Sequence, residues 1–345
     1  GSAGGAAANA SARVPRPAPR VYFLFLAVDK VSNLGVWRSF LQNAPREQFR
    51  AFVHCKLPSC NAQVQGTELI AVPTVPSYYC TDLVSPMNQL LNIAIQSDIT
   101  FHSADKFAFI SDSTLPAKPF ASIYSTLSNR QGSDFCVFPS FEWADVVGPD
   151  GKLEVVAKHH QWVTLERAHS ELLLKDWWSG KLHNLMAHFR MNQDSYQSYN
   201  NSYGDHRNFG CLDEFWHMAA LYGPIGQVDG AGLKVVTLPS FVGGPLSISN
   251  TAGWQGECDT FVMWAKHLNY GGTNPFARFY NMLDPPSIPH GGNFARPGWW
   301  DSISSTGLRA IRTSSFLFVR KFIDNPRLVD GPSFAAAYEQ LVLSA

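Results

Sequence analysis

At 345 residues the chain is long enough for one large domain or two ordinary ones, and 45% hydrophobic content with 24 Phe, 11 Tyr and 10 Trp can fill a sizeable core. Charged residues amount to 16%, with 27 basic against 27 acidic. A neutral chain has no general pull toward phosphate backbones or anionic membranes, which disfavours a nucleic-acid partner. The low charge, with many aromatic, Pro, Gly and Asn residues, suits a secreted or lumenal protein handling polar neutral ligands.

Residues 1–20 carry no apolar period and read as a flexible leader or stem remnant, opening on what looks like a cloning scar, Gly1-Ser2. VYFLFLAV (21–28) predicts a buried strand that leads into Asp29 and Lys30. LGVWRSFLQN (34–43) has helical spacing, and FRAFVH (49–54) is a second strand, ending at His54 before Cys55 and Lys56. MNQLLNIAIQS (87–97) predicts a helix, FAFIS (107–111) a strand, and PFASIYSTLSN (119–129) a helix. The polar turn Ser111-Asp112-Ser113 follows that strand. DFCVF (134–138) predicts a further strand, ERAHSELLLKDWW (166–178) and EFWHMAALYG (214–223) helices, and LKVVTL (233–238) a strand.

Residues 239–300, rich in Gly, Pro and aromatics, predict a long irregular stretch that either lines a sugar pocket or wraps the surface. TSSFLFVRKF (313–322) is an apolar segment ending in Arg320-Lys321, and FAAAYEQLVLS closes the chain as a helix.

Alternation of strands and helices, with strands apolar throughout, implies an α/β fold with a mostly parallel sheet covered on both faces. Such sheets bind ligands beyond the carboxyl ends of their strands, which singles out Val28, Asp29, His54, Ser111, Asp112 and Ser113. No dinucleotide fingerprint, phosphate-binding P-loop or nucleophile elbow is present, so NAD enzymes, P-loop NTPases and serine hydrolases are disfavoured. No apolar run approaches the roughly 18 residues of a membrane span.

Cysteines at 55, 60, 80, 136, 211 and 258 include no C-x-x-C pair. They allow up to three disulfides, in about 15 pairings, or buried thiols. Sequons at Asn9 and Asn200 fit a secretory route and an oxidising compartment.

Asp213 and Glu214 open an apolar helical run within NFGCLDEFWHMAALYG (208–223). Asp213 is placed to cap the first free N–H groups. Glu214 is either a second favourable charge at the positive end of the helix or a functional carboxylate.

Four segments carry a resemblance: FAFISDSTLPAKPFASIYSTL (107–127), KHHQWVTLERAHSELLLKDW (158–177), CLDEFWHMAAL (211–221) and FLFVRKF (316–322). In this order they resemble the core-2/I-branching N-acetylglucosaminyltransferase family, with its xylosyltransferase and plant relatives, and VYFLFLAVDKVSNLGVWRSFL (21–41) fits that family's opening strand and helix. The resemblance spans about 21–322. Two departures stand out: His159-His160 replace a glycine-containing turn, and the late Gly/Pro-rich region has no counterpart.

The resemblance implies a GT-A glycosyltransferase over 21–345, nucleotide-binding over about 21–140 and acceptor-binding over about 141–345. It implies sugar transfer from a UDP-sugar to a glycan or glycoprotein, with inversion, in the Golgi lumen. Membrane contact would come only through a stem or anchor upstream. It points to Glu214 as the base and Lys321 as the diphosphate ligand, with no metal or other cofactor. Val28, Asp29, His54, Ser111, Asp112, Ser113 and Arg320 would complete the donor site, and Gln161, Trp162 and Asp213 the acceptor site.

The chemistry asks for such residues. Inverting transfer needs one carboxylate base, as in glycosidases, and a stabilised leaving group. The diphosphate leaves with growing negative charge that a cation must balance. Asp112 is the only acid of its turn, a poor site for Mg²⁺ or Mn²⁺, so fixed Lys and Arg groups are expected instead. Arg320 and Lys321 would point to opposite faces of a strand. Arg296, Arg309 and Arg312 compete as a further cation, or are surface charges. Asp112 either bonds ribose or a sugar hydroxyl, caps its turn, or binds metal. Trp162 either stacks on sugar or fills the core. Zinc at His159 and His160 lacks partners at ligand spacing. The competing function is a catalytically inactive glycan- or nucleotide-binding protein on the same fold.

Overall fold

A computed structural model describes residues 14–344 except 99, 148–150, 181–182, 184–210, 229–233, 237–239, 242–243, 246–257, 265–266, 270–273 and 293–295. Both sequons, and much of the predicted Gly/Pro-rich stretch, lie outside the described residues. The amino-terminal half alternates β1 (Val21–Ala27), α1 (Leu34–Gln42), β2 (Phe49–Cys55), α2 (Pro58–Val64), β3 (Leu69–Val72), α3 (Val84–Gln96), β4 (Lys106–Ser111) and α4 (Phe120–Asn129). Then come β5 (Thr164–Glu166), α5 (Arg167–Trp178) and α6 (Trp216–Tyr222).

The central sheet runs β5-β4-β1-β2-β3, all parallel except β5, which is antiparallel to β4. Every residue of β1 is buried, as expected of a strand covered on both faces. Alternate side chains divide between two cores. Val21, Phe23 and Phe25 face Trp37 and Phe40 of α1 and Phe120 of α4. Tyr22, Leu24 and Leu26 face Met87, Leu90 and Leu91 of α3, with Trp216 and Met218 of α6 in the same core. The α1 pattern of Val36, Trp37, Phe40 and Leu41 repeats at helical spacing, which places all four on the buried face.

The carboxyl-terminal part forms separate small sheets that pack into the core on the α1 side of this sheet. It contains β6 (Thr260–Val262), α7 (Pro275–Tyr280), β7 (Gly298–Ile303), α8 (Ser305–Thr313), β8 (Phe318–Arg320), β9 (Phe322–Leu328) and α9 (Phe334–Tyr338). β6 and β8 are parallel, β8 is antiparallel to Leu115–Pro116, and β7 pairs with β9. Residues 239–300 are thus not irregular throughout: β6 and β7 are strands, and Trp300 is a core residue that donates Nε1–H to the Ser287 carbonyl.

Three disulfides, Cys55–Cys60, Cys80–Cys211 and Cys136–Cys258, join all six cysteines, as fits an oxidising, secreted or lumenal compartment. Among the described residues no helix is long and apolar enough to cross a membrane.

Two further expectations need correction. Residues 14–20 are not a free leader. Val14–Pro15 pair with Thr100–Phe101, and Arg16 and Arg20 form ion pairs with Asp98 and Asp105. The apolar run 134–138 forms no strand: Cys136 has a φ of 45°, outside the β region, and only isolated bridges from Asp134 to Thr164 and from Val137 to His159 remain.

Candidate active site

Sheet order reverses direction at β1, since β2 and β3 lie on one side and β4 on the other, and the crevice beyond β1 and β4 is where such sheets bind ligands. Asp112 N–H donates to the Leu26 carbonyl at 3.0 Å, and the Asp112 carbonyl accepts from Ser32 N–H at 2.7 Å, lacing the two strand ends together. The hydroxyls of the turn bond one another: Ser111 Oγ lies 2.7 Å from Thr114 Oγ1 and 3.3 Å from Ser113 Oγ. Burial pushes the Asp112 carboxyl above its ordinary range, against the pull of Arg320 and Lys321, and Asp29 pushes it further up.

The basic pair is held across from this turn. Val319 of β8 pairs with Leu115, and Phe322 N–H donates to the Ser113 carbonyl at 2.9 Å. The Arg320 guanidinium lies 4.7 Å over the Trp162 ring. Burial lowers Arg320 to about 10, while Asp112, Tyr79 and Asp213 pull it back up, so it stays charged at neutral pH. Lys321 is exposed.

The acid turn is fastened from two sides. Cys211 is disulfide-bonded to Cys80, and Leu212 N–H donates to the Cys80 carbonyl at 3.1 Å. The Glu214 carbonyl accepts from His159 N–H at 2.7 Å. The capping role expected of Asp213 is taken by its neighbour. Glu214, not Asp213, reaches back to a free N–H: its Oε2 accepts from Cys211 N–H at 3.0 Å, closing a single 3₁₀ turn, Leu212–Glu214, ahead of α6. Asp213 points inward and is buried, with Oδ1 unpartnered among the described residues. Burial, aided by the neighbouring Glu214 charge, raises it to about 8, so it is a neutral acid at pH 7. Glu214 Oε2 also lies 3.5 Å from Lys158 Nζ, whereas Oε1 has no protein partner among the described residues.

Asp213 Oδ1, Trp162 Nε1, Arg320 Nε and His160 Nδ1 are all buried without a protein partner among the described residues. Arg320 touches the Trp162 ring and acts electrostatically on both Asp213 and His160. Buried polar groups nearly always find partners, so three such atoms about a guanidinium whose own Nε is also unpartnered among the described residues mark a place for polar ligand atoms or water. Trp162 itself belongs to the core, with one ring face under Arg320. Gln161, half-buried, precedes it.

Other expected residues go elsewhere. His54 is buried, and its Nε2 meets the Val75 backbone at 3.0 Å, so it fastens the loop after β3 rather than offering a ring to a ligand. Val28 and Asp29 are exposed beyond β1, with carbonyls accepting from Leu57 N–H and Ser59 Oγ. Arg312 donates to the carbonyls of Val342 and Ser344 and is a structural residue. Arg296 and Arg309 are exposed. His159 and His160 are buried and neutral, lowered by burial to about 4 and about 3. Among the described residues no three His, Cys, Asp or Glu side chains are grouped to hold a metal.

Tyr79 escapes sequence reasoning. It is 76% exposed on the loop pinned by Cys80 and acts on the Arg320 charge. Its only signal was an aromatic pair, Tyr78-Tyr79, beside a cysteine. No protein-family model matches the chain, and no curated protein matches it.

Proposed function

We propose that the chain is an inverting glycosyltransferase of GT-A architecture that moves a sugar from a UDP-sugar to a glycan or glycoprotein acceptor in the Golgi lumen, without a metal. The observation that carries this reading is the meeting of Arg320-Lys321 with the Ser111-Asp112-Ser113 turn at the ligand-binding end of the sheet, beside a turn that leaves Glu214 Oε1 unpartnered among the described residues. In the proposed reaction the acceptor hydroxyl gives its proton to Glu214 Oε1 as its oxygen bonds to C1 of the sugar. The C1–O bond to the β-phosphate breaks, its electron pair stays on the diphosphate, and Arg320 and Lys321 balance the charge that develops. Asp112, Asp29, Val28, Ser111 and Ser113 are assigned to the donor side, and Asp213, Gln161 and Trp162 to the acceptor side.

UDP release over a panel of UDP-sugars, with and without EDTA, tests this on the wild type and Glu214→Gln. Release is expected with one donor, insensitive to EDTA, and lower by about 10²–10⁴-fold in the variant. Loss of release in EDTA would overturn the metal-free mechanism and point to Asp29 and Asp112 as ligands. UDP binding without release from any donor would favour a binding protein on the same fold.

A further inference from the structure

Lys158 is a buried lysine, its side chain only 4% exposed. A buried ammonium is costly unless it is paired, so what Lys158 pairs with is informative. Its Nζ lies 3.2 Å from Glu142 Oε2 and 3.5 Å from Glu214 Oε2, and 4.7 Å over the Phe138 ring. The Lys158 carbonyl accepts from Phe138 N–H at 2.9 Å, and the next residue, His159, donates its N–H to the Glu214 carbonyl. One short segment thus holds the Glu214 backbone while its lysine holds the Glu214 carboxylate.

We infer that Lys158 is the positioning residue of the catalytic base, bridging Glu214 to Glu142 so that Oε2 is fixed and Oε1 is left to take the acceptor proton. The assignment rests on the glycosyltransferase reading. The ammonium and the Cys211 N–H both act on Oε2 and fix the carboxylate plane. Glu142 shares the ammonium with Glu214, at 3.2 Å against 3.5 Å. A lysine paired with Glu214 alone would hold it equally well and make it a weaker base.

The other charged and titratable groups about Glu214 do not reproduce this arrangement. Asp213 is neutral below about pH 8 and faces inward. His159 and His160 are neutral. Asp82 acts on Asp213 from the loop pinned by Cys80, and Arg320 acts on Asp213 from β8. Removing Lys158 and removing Glu142 should therefore shift the ionisation of Glu214 in opposite directions, which a merely structural role would not do.

The test compares Lys158→Met, Lys158→Arg and Glu142→Gln with the wild type in two measurements. In UDP release, Lys158→Met should lose on the order of tenfold to a hundredfold in kcat, with the donor KM little changed. Its acid limb should move up in pH, because a neighbouring cation is lost. Lys158→Arg should recover part of the loss, and Glu142→Gln should move the acid limb down. The second measurement is the titration of the Glu214 carboxyl carbon by NMR, assigned with Glu214→Gln, which requires no turnover and shows the same opposed shifts. A wild type that releases no UDP would overturn the glycosyltransferase reading while the titration still decides the Lys158–Glu214 coupling. Shifts of the same sign, or none, would overturn the role of Lys158, and Glu142→Gln decides this even where Lys158→Met does not fold.

Discussion

Asp213 and Glu214 are adjacent acids in different environments, and each calls for a different measurement. Asp213 is raised to about 8 by burial, whereas an unfolded Asp titrates near about 3.9. Between those values the folded chain binds the extra proton, so this group's contribution to stability declines as pH rises from about 4 to about 8. Asp213→Asn keeps the shape of the neutral acid and removes the titration. Urea midpoints at pH 5, 7 and 9 should show the variant gaining on the wild type as pH rises, and a constant difference would mean that Asp213 is ionised in the folded state. Arg320 and Lys321 separate similarly. Lys321→Met, at an exposed position, should leave stability within about 0.5 kcal/mol while weakening UDP binding in calorimetry. Arg320→Met should weaken binding and also destabilise the fold, because the guanidinium caps the Trp162 ring.

At the scale of elements, much was legible. β1, β2 and β4 follow from contiguous apolar runs, and α1, α3, α4 and α5 fall within about three residues of where helical spacing puts them. What hid the rest is long-range. The 134–138 run has strand composition, but the left-handed Cys136, tied to Cys258 122 residues away, breaks the pleat. The part played by Lys158 was invisible because its partners, Glu142 and Glu214, lie 16 and 56 residues along and only the folded chain joins them. Asp213 looked like a cap because caps are judged locally, whereas the turn that carries it is held by the distant Cys80 through Cys211. That link closes a loop of 131 residues, and replacing both cysteines by Ser should cost about 2–5 kcal/mol. Local exchange should respond as well. The Leu212 amide, bonded to the Cys80 carbonyl, should exchange faster in Cys80→Ser/Cys211→Ser than amides of β1. Equal acceleration at both places would mean that the link stabilises the whole fold and not the acid turn.

Over the whole molecule, the carboxyl-terminal part completes the site that the central sheet begins. β8 supplies Arg320, and the Cys136–Cys258 bond ties the segment before β6 to the loop after α4. Three buried histidines, His159, His160 and His217, belong to the segments that meet at the acid turn. His159 and His217 rings are 5.4 Å apart, and His160 follows His159 in the same segment. Burial lowers His159 to about 4, His160 to about 3 and His217 well below its ordinary value. Unfolding releases all three to titrate near about 6.5. Below that pH the unfolded chain therefore binds more protons than the folded one, and stability is lost as pH falls from about 6.5 toward 4. Each histidine adds up to about 1.4 kcal/mol per pH unit to the slope. Stability in urea should thus fall steeply on acidification, opposite in sign to the Asp213 contribution. His217→Gln should make the fall shallower by up to one proton's worth. An unchanged slope would place a charged imidazole beside the apolar ring of Phe109, 5.7 Å away.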